Sequence, residues 1–495
     1  MTDLPVLNTT EVSTVPVLID GSFHGSTSGE TIDARNPATG ELIARIPRCG
    51  PVDVAKAVEA AHAAFPAWRA TAAPERGRML FELADSLLSA KEEFALLDAA
   101  DNGSPLRDLR VDVEIGAAEL RYFAGLALHA RGETIPTGYD RVNYTLREPF
   151  GVVGRIVPFN HPLLFAAMKL GAPLVAGNAV VLKPSEHTSL STLRLAQDLA
   201  RIFPPGVVNI VTGYGDEAGD ALVAHPLVRR LAFIGLASTG RRIQARAAEV
   251  AIKTITLELG GKNPIVIFED ADIDDAIDGV IRGMNLSFQG QSCGSTSRLI
   301  VHEKLHTDFV ANLAQRLEAM RVGLPTNEDT QIGTLINQAQ FDKVASYVDL
   351  GCSEGFTLVT GGTRPADPSL ANGCFIHPAL FDGVTPGSRL EQEEIFGPVL
   401  AVMPFREYSE ALRIANDIPL GLTASVYTRD LRTAHTFARD IEAGFVWVND
   451  SGRHFLGAPF GGYKDSGLGR EEDIDELLSY TQIKNVNINL TGALH

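Results

Sequence analysis

Basic residues are in short supply in this chain. Its 43 lysines and arginines face 61 aspartates and glutamates, a net charge of −18. Nucleic acid and anionic membranes attract basic faces, so neither is expected as a partner. Cysteine is scarce as well: Cys49, Cys293, Cys352 and Cys374 are the only four in 495 residues. None of them pairs at metal-ligand spacing, and a disulfide framework is not expected in a chain this long. A reducing compartment is the natural setting. Long apolar runs are absent; residues 171–181 are too few to span a bilayer and are broken by glycine and proline. Residues 1–17 have no basic n-region, no apolar h-region and no arginine. Neither a signal peptide nor a transit peptide is therefore expected, and the expected location is cytoplasmic.

Hydrophobic residues make up 45% of the chain and charged residues 21%, as in an ordinary soluble globular protein. The length suggests roughly three domains. Val54, Ala57, Val58, Ala61 and Phe65 share one helical face, and Met79, Leu80, Leu83, Leu87 and Leu88 share another. Residues 131–147 are rich in turn-forming and β-branched types and are expected to form a projecting strand pair. From residue 151 short apolar runs (152–157, 179–182, 207–211, 230–234, 254–257) alternate with helical stretches (190–202, 239–250). A second alternating block spans 264–449, with strands expected at 264–268, 298–301, 399–403, 423–427 and 445–448. Its helices are expected at 273–287, 305–320 and 409–416. Such alternation predicts an α/β fold with doubly wound parallel sheets, which bind ligands at the carboxyl ends of their strands.

The chemistry centres on Cys293, in Gln289-Gly290-Gln291-Ser292-Cys293-Gly294-Ser295, and on Glu258, in Glu258-Leu259-Gly260-Gly261-Lys262-Asn263-Pro264. A lone cysteine is ordinarily a small buried hydrophobe. Among glycines, which let the backbone approach closely, it becomes reachable by a small substrate. A carboxylate in a second glycine-rich turn can activate water. The pair suggests covalent catalysis through a thioester, followed by hydrolysis. Asn160, in Pro158-Phe159-Asn160-His161-Pro162, follows a strand and can donate its amide to an oxyanion, or cap a helix before Pro162. Lys183-Pro184-Ser185-Glu186 also follows a strand. Lys183 can meet ribose hydroxyls or phosphate and Glu186 can accept from ribose hydroxyls; a solvated first helical turn is the alternative. A carboxylate at Glu186 repels a 2′-phosphate. The run Gly213-Tyr214-Gly215-Asp216-Glu217-Ala218-Gly219 does not fit the dinucleotide fingerprint and reads by itself as a loop.

These motifs, taken in order, resemble the aldehyde dehydrogenase superfamily, NAD(P)-dependent enzymes that oxidise aldehydes to carboxylic acids. The resemblance runs from Ile19-Asp20-Gly21 to Tyr480-Thr481-Gln482-Ile483-Lys484. It includes Phe233-Ile234-Gly235-Leu236-Ala237-Ser238-Thr239-Gly240, Glu393-Glu394-Ile395-Phe396-Gly397-Pro398 and Pro459-Phe460-Gly461-Gly462-Tyr463-Lys464. It implies two doubly wound Rossmann-type domains plus a small oligomerisation β-element. Residues 1–130 and 150–258 would bind NAD, 259–470 would carry catalysis, and 131–149 with 471–495 would bridge a homodimer or homotetramer. NAD is the implied cofactor, with NADP less favoured because of Glu186. Lys183, Glu186, Gly215, Gly235, Gly240, Glu394, Phe396 and Phe159 are its implied contacts. Leu236 stands where the family usually has serine. The lost hydrogen bond to phosphate is worth roughly 1.5–3 kcal/mol, so weakened but persisting NAD binding is expected.

The resemblance also implies roles. Cys293 attacks the aldehyde as thiolate, Asn160 and the Cys293 N–H hold the oxyanion, and Glu258 activates water. A free thiol titrates near ~8.5, so the site must lower that value or a base must take the proton. Relatives that pass the acyl group to coenzyme A often lack a carboxylate at the position of Glu258, which favours hydrolysis here. The implied substrate tunnel holds His161, Phe165, Met168, Ser292, His454 and Phe460, with Leu164, Ser287, Phe288 and Phe455. This mostly apolar set suits an aromatic or medium-chain aliphatic aldehyde. The alternatives are a semialdehyde dehydrogenase, CoA-acylating or with Arg453 anchoring a carboxylate, and a catalytically silent NAD-binding relative, at which Leu236 alone hints.

Overall fold

Two largely parallel sheets carry the architecture, seen in a computed structural model that describes residues 12–491. Most of the segment 1–17 lies outside the described residues. In the first sheet the strands Val208–Ile210, Ala179–Lys183, Val152–Ile156, Val228–Gly235 and Thr254–Leu259 run parallel in that spatial order. Every residue of Ala179–Lys183 is buried, as expected of a parallel strand covered on both faces. Short antiparallel strands close the two sides: Val17–Ile19 pairs with Val208–Ile210, and Gly467–Leu468 with Thr254–Leu259. Chain order reverses between Val152–Ile156 and Val228–Gly235. A ligand crevice opens at such a reversal, outside the carboxyl ends of the strands. Lys183 ends one of these strands, and Glu258 lies in the last parallel strand opposite Ile234.

The second sheet orders Ala379–Asp382, Val399–Phe405, Arg298–His302, Pro264–Ile267, Thr423–Tyr427 and Phe445–Val448 in parallel, with Thr357–Thr360 antiparallel at one edge. The expected strand pair at 131–147 is part of a three-stranded antiparallel sheet. Thr134–Ile135 and Arg141–Pro149 are joined by the C-terminal strand Thr481–Asn489 along nine paired positions.

Two departures from expectation shape the site. The helix expected at 273–287 stops at Gly283. Asn285 and Gln289, both left-handed (φ 52° and 56°), flank a short turn at Leu286–Phe288. The chain leaves the helix there to deliver the Gln289–Ser295 loop, and Thr296 N–H returns to Gly283 O at 3.0 Å. The second departure is the helix Leu106–Gly125, which apolar periodicity does not reveal. Its buried face includes Asp112 and Glu119 among Leu109, Val113 and Leu120, and charged residues at core positions erase the amphipathic signal.

Candidate active site

Cys293 precedes the strand Arg298–His302 and so lies at the amino end of the second sheet, not at a carboxyl end. Asn263, just before Pro264–Ile267, donates its side-chain amide to Cys293 O (2.7 Å) and Ser295 O (3.0 Å). Gln291 ties the same loop to Ile336 N–H (3.1 Å). Across a cavity of about 580 Å³ stand groups from the carboxyl end of the first sheet, so that Cys293, Glu258 and Asn160 line one space. Glu258 is 4% exposed, and among the described residues neither of its carboxyl oxygens has a hydrogen-bond partner. Asn160 Oδ1 is likewise buried and unpartnered. The residue that caps the helix Pro162–Val175 is His161, and its side chain makes no capping bond. The capping alternative for Asn160 is therefore not realised. Asn102 holds this turn from behind, donating to Phe159 O (2.8 Å) and Asn160 O (3.4 Å).

The electrostatics answer the question of the thiol. Burial, reinforced by the carboxylates of Glu258, Glu394 and Glu472, pushes Cys293 up to about 12. The Gly294 N–H pulls the other way but does not offset burial, so a base must take its proton. Glu258 is itself raised well above the usual carboxylate range, first by burial and then by the charge of Glu471, with Lys169 opposing. Burial also works against ionisation of Glu471, yet Arg155 and Lys169 hold it down at about 2. Its contacts are Arg155 Nη1 at 2.6 Å and Lys169 Nζ at 2.8 Å. Lys169, Glu471, Glu119 and Glu472 all line the cavity, and the sequence reading missed them. The one available signal was a single lysine inside the otherwise apolar helix Pro162–Val175.

The tunnel candidates His161, Phe165, Met168, Ser292, His454 and Phe460 line this cavity, as do Leu164, Phe288 and Phe455. Ser287 is not on its wall; Ser287 O accepts from Gln289 Nε2 at 2.7 Å. Arg453 reaches the cavity, but its side chain is 61% exposed and lies 3.7 Å from Asp450.

Several cofactor candidates sit at strand and helix ends. Lys183 Nζ lies 3.1 Å from Pro184 O and 3.5 Å from Glu186 Oε2. Gly219, closing the turn that starts at Gly215, sits against the Lys183 stem. Gly235 ends its strand, and the helix Ala237–Val250 begins after Leu236 with no side-chain cap. Leu236 is 51% exposed, so its missing hydroxyl leaves first-turn N–H groups for an anion. Gly240 is buried, and a Cβ there would stand 2.9 Å from Leu259, so it lets helix and strand pack closely. Glu394 accepts from Gly261 N–H at 3.2 Å. Burial raises it to about 7, against that N–H and the charges of Lys343 and Lys262. Phe396, at φ 60°, meets Phe159 edge-to-face with ring centroids 5.6 Å apart. A lysine–glutamate pair, an uncapped helix start, a second buried carboxylate and a pair of aromatic rings are the chemical types that suit the ribose, phosphate and ring parts of a dinucleotide.

Comparison with known proteins shows the family. The profile of the aldehyde dehydrogenase family matches residues 23–486. The aldehyde dehydrogenase tropH of Talaromyces stipitatus is 44% identical over 483 residues, covering 96% of this chain and 93% of that protein. The structure of PnpE in complex with nicotinamide adenine dinucleotide, a protein of Pseudomonas sp. WBC-3, is 42% identical with a TM-score of 0.94. That match covers 97% of this chain and 98% of PnpE. The NAD+ complex of the Bacillus cereus aldehyde dehydrogenase is 39% identical with a TM-score of 0.93, covering 97% of each chain. The chain belongs to the aldehyde dehydrogenase family.

Proposed function

We propose that the protein oxidises an aldehyde to the carboxylic acid with NAD, through a thioester on Cys293. One observation carries the reading. The Cys293 thiol, the unpartnered carboxyl of Glu258 and the side chain of Asn160 line a single cavity. The Cys293 proton passes to solvent water in the cavity as Sγ bonds to the carbonyl carbon. The Asn160 amide donates to the oxygen that becomes negative. NAD, when bound, supplies the two-electron acceptor; Lys183, Glu186, Glu394, Phe396 and the uncapped start of Ala237–Val250 would hold it. The carbonyl re-forms as the C–H bond breaks and its electron pair goes to that acceptor with the hydrogen, leaving a thioester on Cys293. Glu258 takes a proton from water, the water oxygen adds to the acyl carbon, and Sγ leaves. A carboxylate buried in the cavity favours this hydrolytic end over transfer to coenzyme A.

The mostly apolar wall suits an aromatic or medium-chain aliphatic aldehyde. In this reading residues 1–130 and 150–258 bind the cofactor and 259–470 carry catalysis. Residues 131–149 and 471–495 join subunits of a homodimer or homotetramer. Four free thiols suit a reducing, cytoplasmic setting.

The test is reduced-nicotinamide production by the purified protein with aromatic, aliphatic and semialdehyde substrates, NAD and NADP in parallel. Turnover with NAD that Cys293→Ala abolishes is the expected result. NAD binding without turnover of any aldehyde would replace this reading with that of a silent relative.

A further inference from the structure

Two histidines interrupt the apolar tunnel, and both are held in the same way. His161 Nδ1 lies 2.8 Å from Asp112 Oδ2, and His454 Nδ1 lies 3.0 Å from Glu472 Oε2. Asp112 is 4% exposed and Glu472 7%. A carboxylate on one ring nitrogen fixes the tautomer and leaves the other nitrogen as the working edge. Among the described residues neither Nε2 has a hydrogen-bond partner, and both residues line the cavity with Cys293. The rings are also fixed by packing. His161 lies against Phe288, with centroids 4.0 Å apart, and meets Phe165 edge-on. His454 lies against Phe460 at 4.6 Å. One imidazole comes from the start of the helix Pro162–Val175 and the other from the loop after Phe445–Val448.

An anionic substrate tail finds little here. Lys169 is committed to Glu471, and Arg453 is largely in solvent beside Asp450. Asp108, Asp112, Glu119 and Glu472 stand along the same walls. A neutral group that both donates and accepts suits the site better. A hydroxyl donates to an imidazole whose proton is on Nδ1, and accepts from one protonated on both nitrogens. A plain hydrocarbon against His161, whose side chain is 15% exposed, would leave its Nε2 unsatisfied, which is how a polar site rejects the analogue lacking its partner; His454, 45% exposed, stands where water also reaches it.

We infer that the tunnel selects aldehydes bearing a hydroxyl group remote from the carbonyl, phenolic or alcoholic, and that His161 and His454 are the residues that select it. The inference rests on the aldehyde-oxidising reading above. Its test is a ratio of kcat/KM values for matched pairs in which hydroxyl replaces methyl. The pairs are 4-hydroxybenzaldehyde against 4-methylbenzaldehyde, and 6-hydroxyhexanal against heptanal. The ratio is measured in the wild type, His161→Phe, His454→Phe and Asp112→Asn. General losses of activity and the intrinsic reactivity of each aldehyde cancel between variants. The expected result is a hydroxyl:methyl ratio about tenfold higher in the wild type than in at least one histidine variant, for at least one pair. Asp112→Asn keeps the ring but frees its tautomer, and its ratio falls in the same direction, which guards against a misfolded His161→Phe. Ratios that stay equal in all four proteins overturn the inference while leaving aldehyde oxidation intact. So does a preference for adipic semialdehyde over 6-hydroxyhexanal, which would assign the tunnel to anions. Absence of turnover for every aldehyde sinks the dehydrogenase reading and this inference with it.

Discussion

Alkylation of Cys293 in the ligand-free protein is expected to climb with pH all the way from about pH 7 to about pH 10. The perturbation is pH, and the magnitude follows from the surroundings of the thiol. Burial comes first, then Glu258, Glu394 and Glu472, and together they raise it from 9.0 to about 12. Well below that value, such a thiol carries about a thousandfold less thiolate than one titrating at 9.0. The more basic thiolate is also the better nucleophile. With a Brønsted slope of ~0.4–0.5 this returns about 15- to 30-fold, leaving Cys293 about 30- to 60-fold slower than an ordinary thiol of equal access. The assay is pseudo-first-order labelling with iodoacetamide, resolved by peptide mass spectrometry. The exposed Cys352 is quantified in the same samples. The logarithm of the Cys293 rate should rise with unit slope and show no plateau. In Glu258→Gln, one of the charges that raise the thiol is gone, so labelling at a given pH should be faster. A Cys293 rate that levels off by about pH 8 would refute the reasoning, because it would require a local positive field strong enough to outweigh burial and three carboxylates.

Three further outcomes follow from the same geometry. Asn160→Ala should lower kcat by roughly 10²–10³-fold, the usual effect of removing one oxyanion donor, with little change in NAD affinity by calorimetry; an unchanged kcat would remove Asn160 from the chemistry. Glu258→Gln should keep a pre-steady-state burst of reduced nicotinamide while steady turnover falls by about 10²–10⁴-fold; loss of the burst together with turnover would place Glu258 in the first half of the reaction instead. Asp101, whose Oδ2 accepts from Leu190 N–H at 2.9 Å, is raised by burial from 3.8 to about 8. A carboxyl raised on folding contributes stability that is complete below its unfolded value of ~3.9 and lost as pH climbs through the folded value. Asp101→Asn should therefore flatten the fall of Tm between about pH 4 and about pH 8; an identical pH profile in the two proteins would contradict it.

The legible part of the site was the part written locally. Lys183 follows a strand because Ala179–Lys183 is an uninterrupted apolar run ending in a charge, and such a run can only be a buried strand or helix segment bounded by its breakers. The glycines around Glu258 and Cys293 marked turns without any partner being known. Ser287 was misplaced because the helix from Ile273 ends at Gly283, and nothing in the intervening residues announces two left-handed backbones. The charged layer behind Glu258 was out of reach for a different reason. Arg155, Lys169, Glu471 and Glu476 gather from distant parts of the chain, and buried ions are paired by tertiary contact, not by spacing along the sequence.

The sequence by itself therefore determined the alternation of strands and helices, the motifs at their ends and the chemical types offered for catalysis, since these depend on periodicity and local turns. Tertiary structure alone decided that the amino end of one sheet faces the carboxyl end of the other, bringing Cys293, Glu258 and Asn160 to one cavity. It also decided the ionisation of those groups, and that two imidazoles, each beside a carboxylate at Nδ1, line that cavity. Burial and Coulomb interactions depend on distances through space, and those distances exist only once the chain has folded.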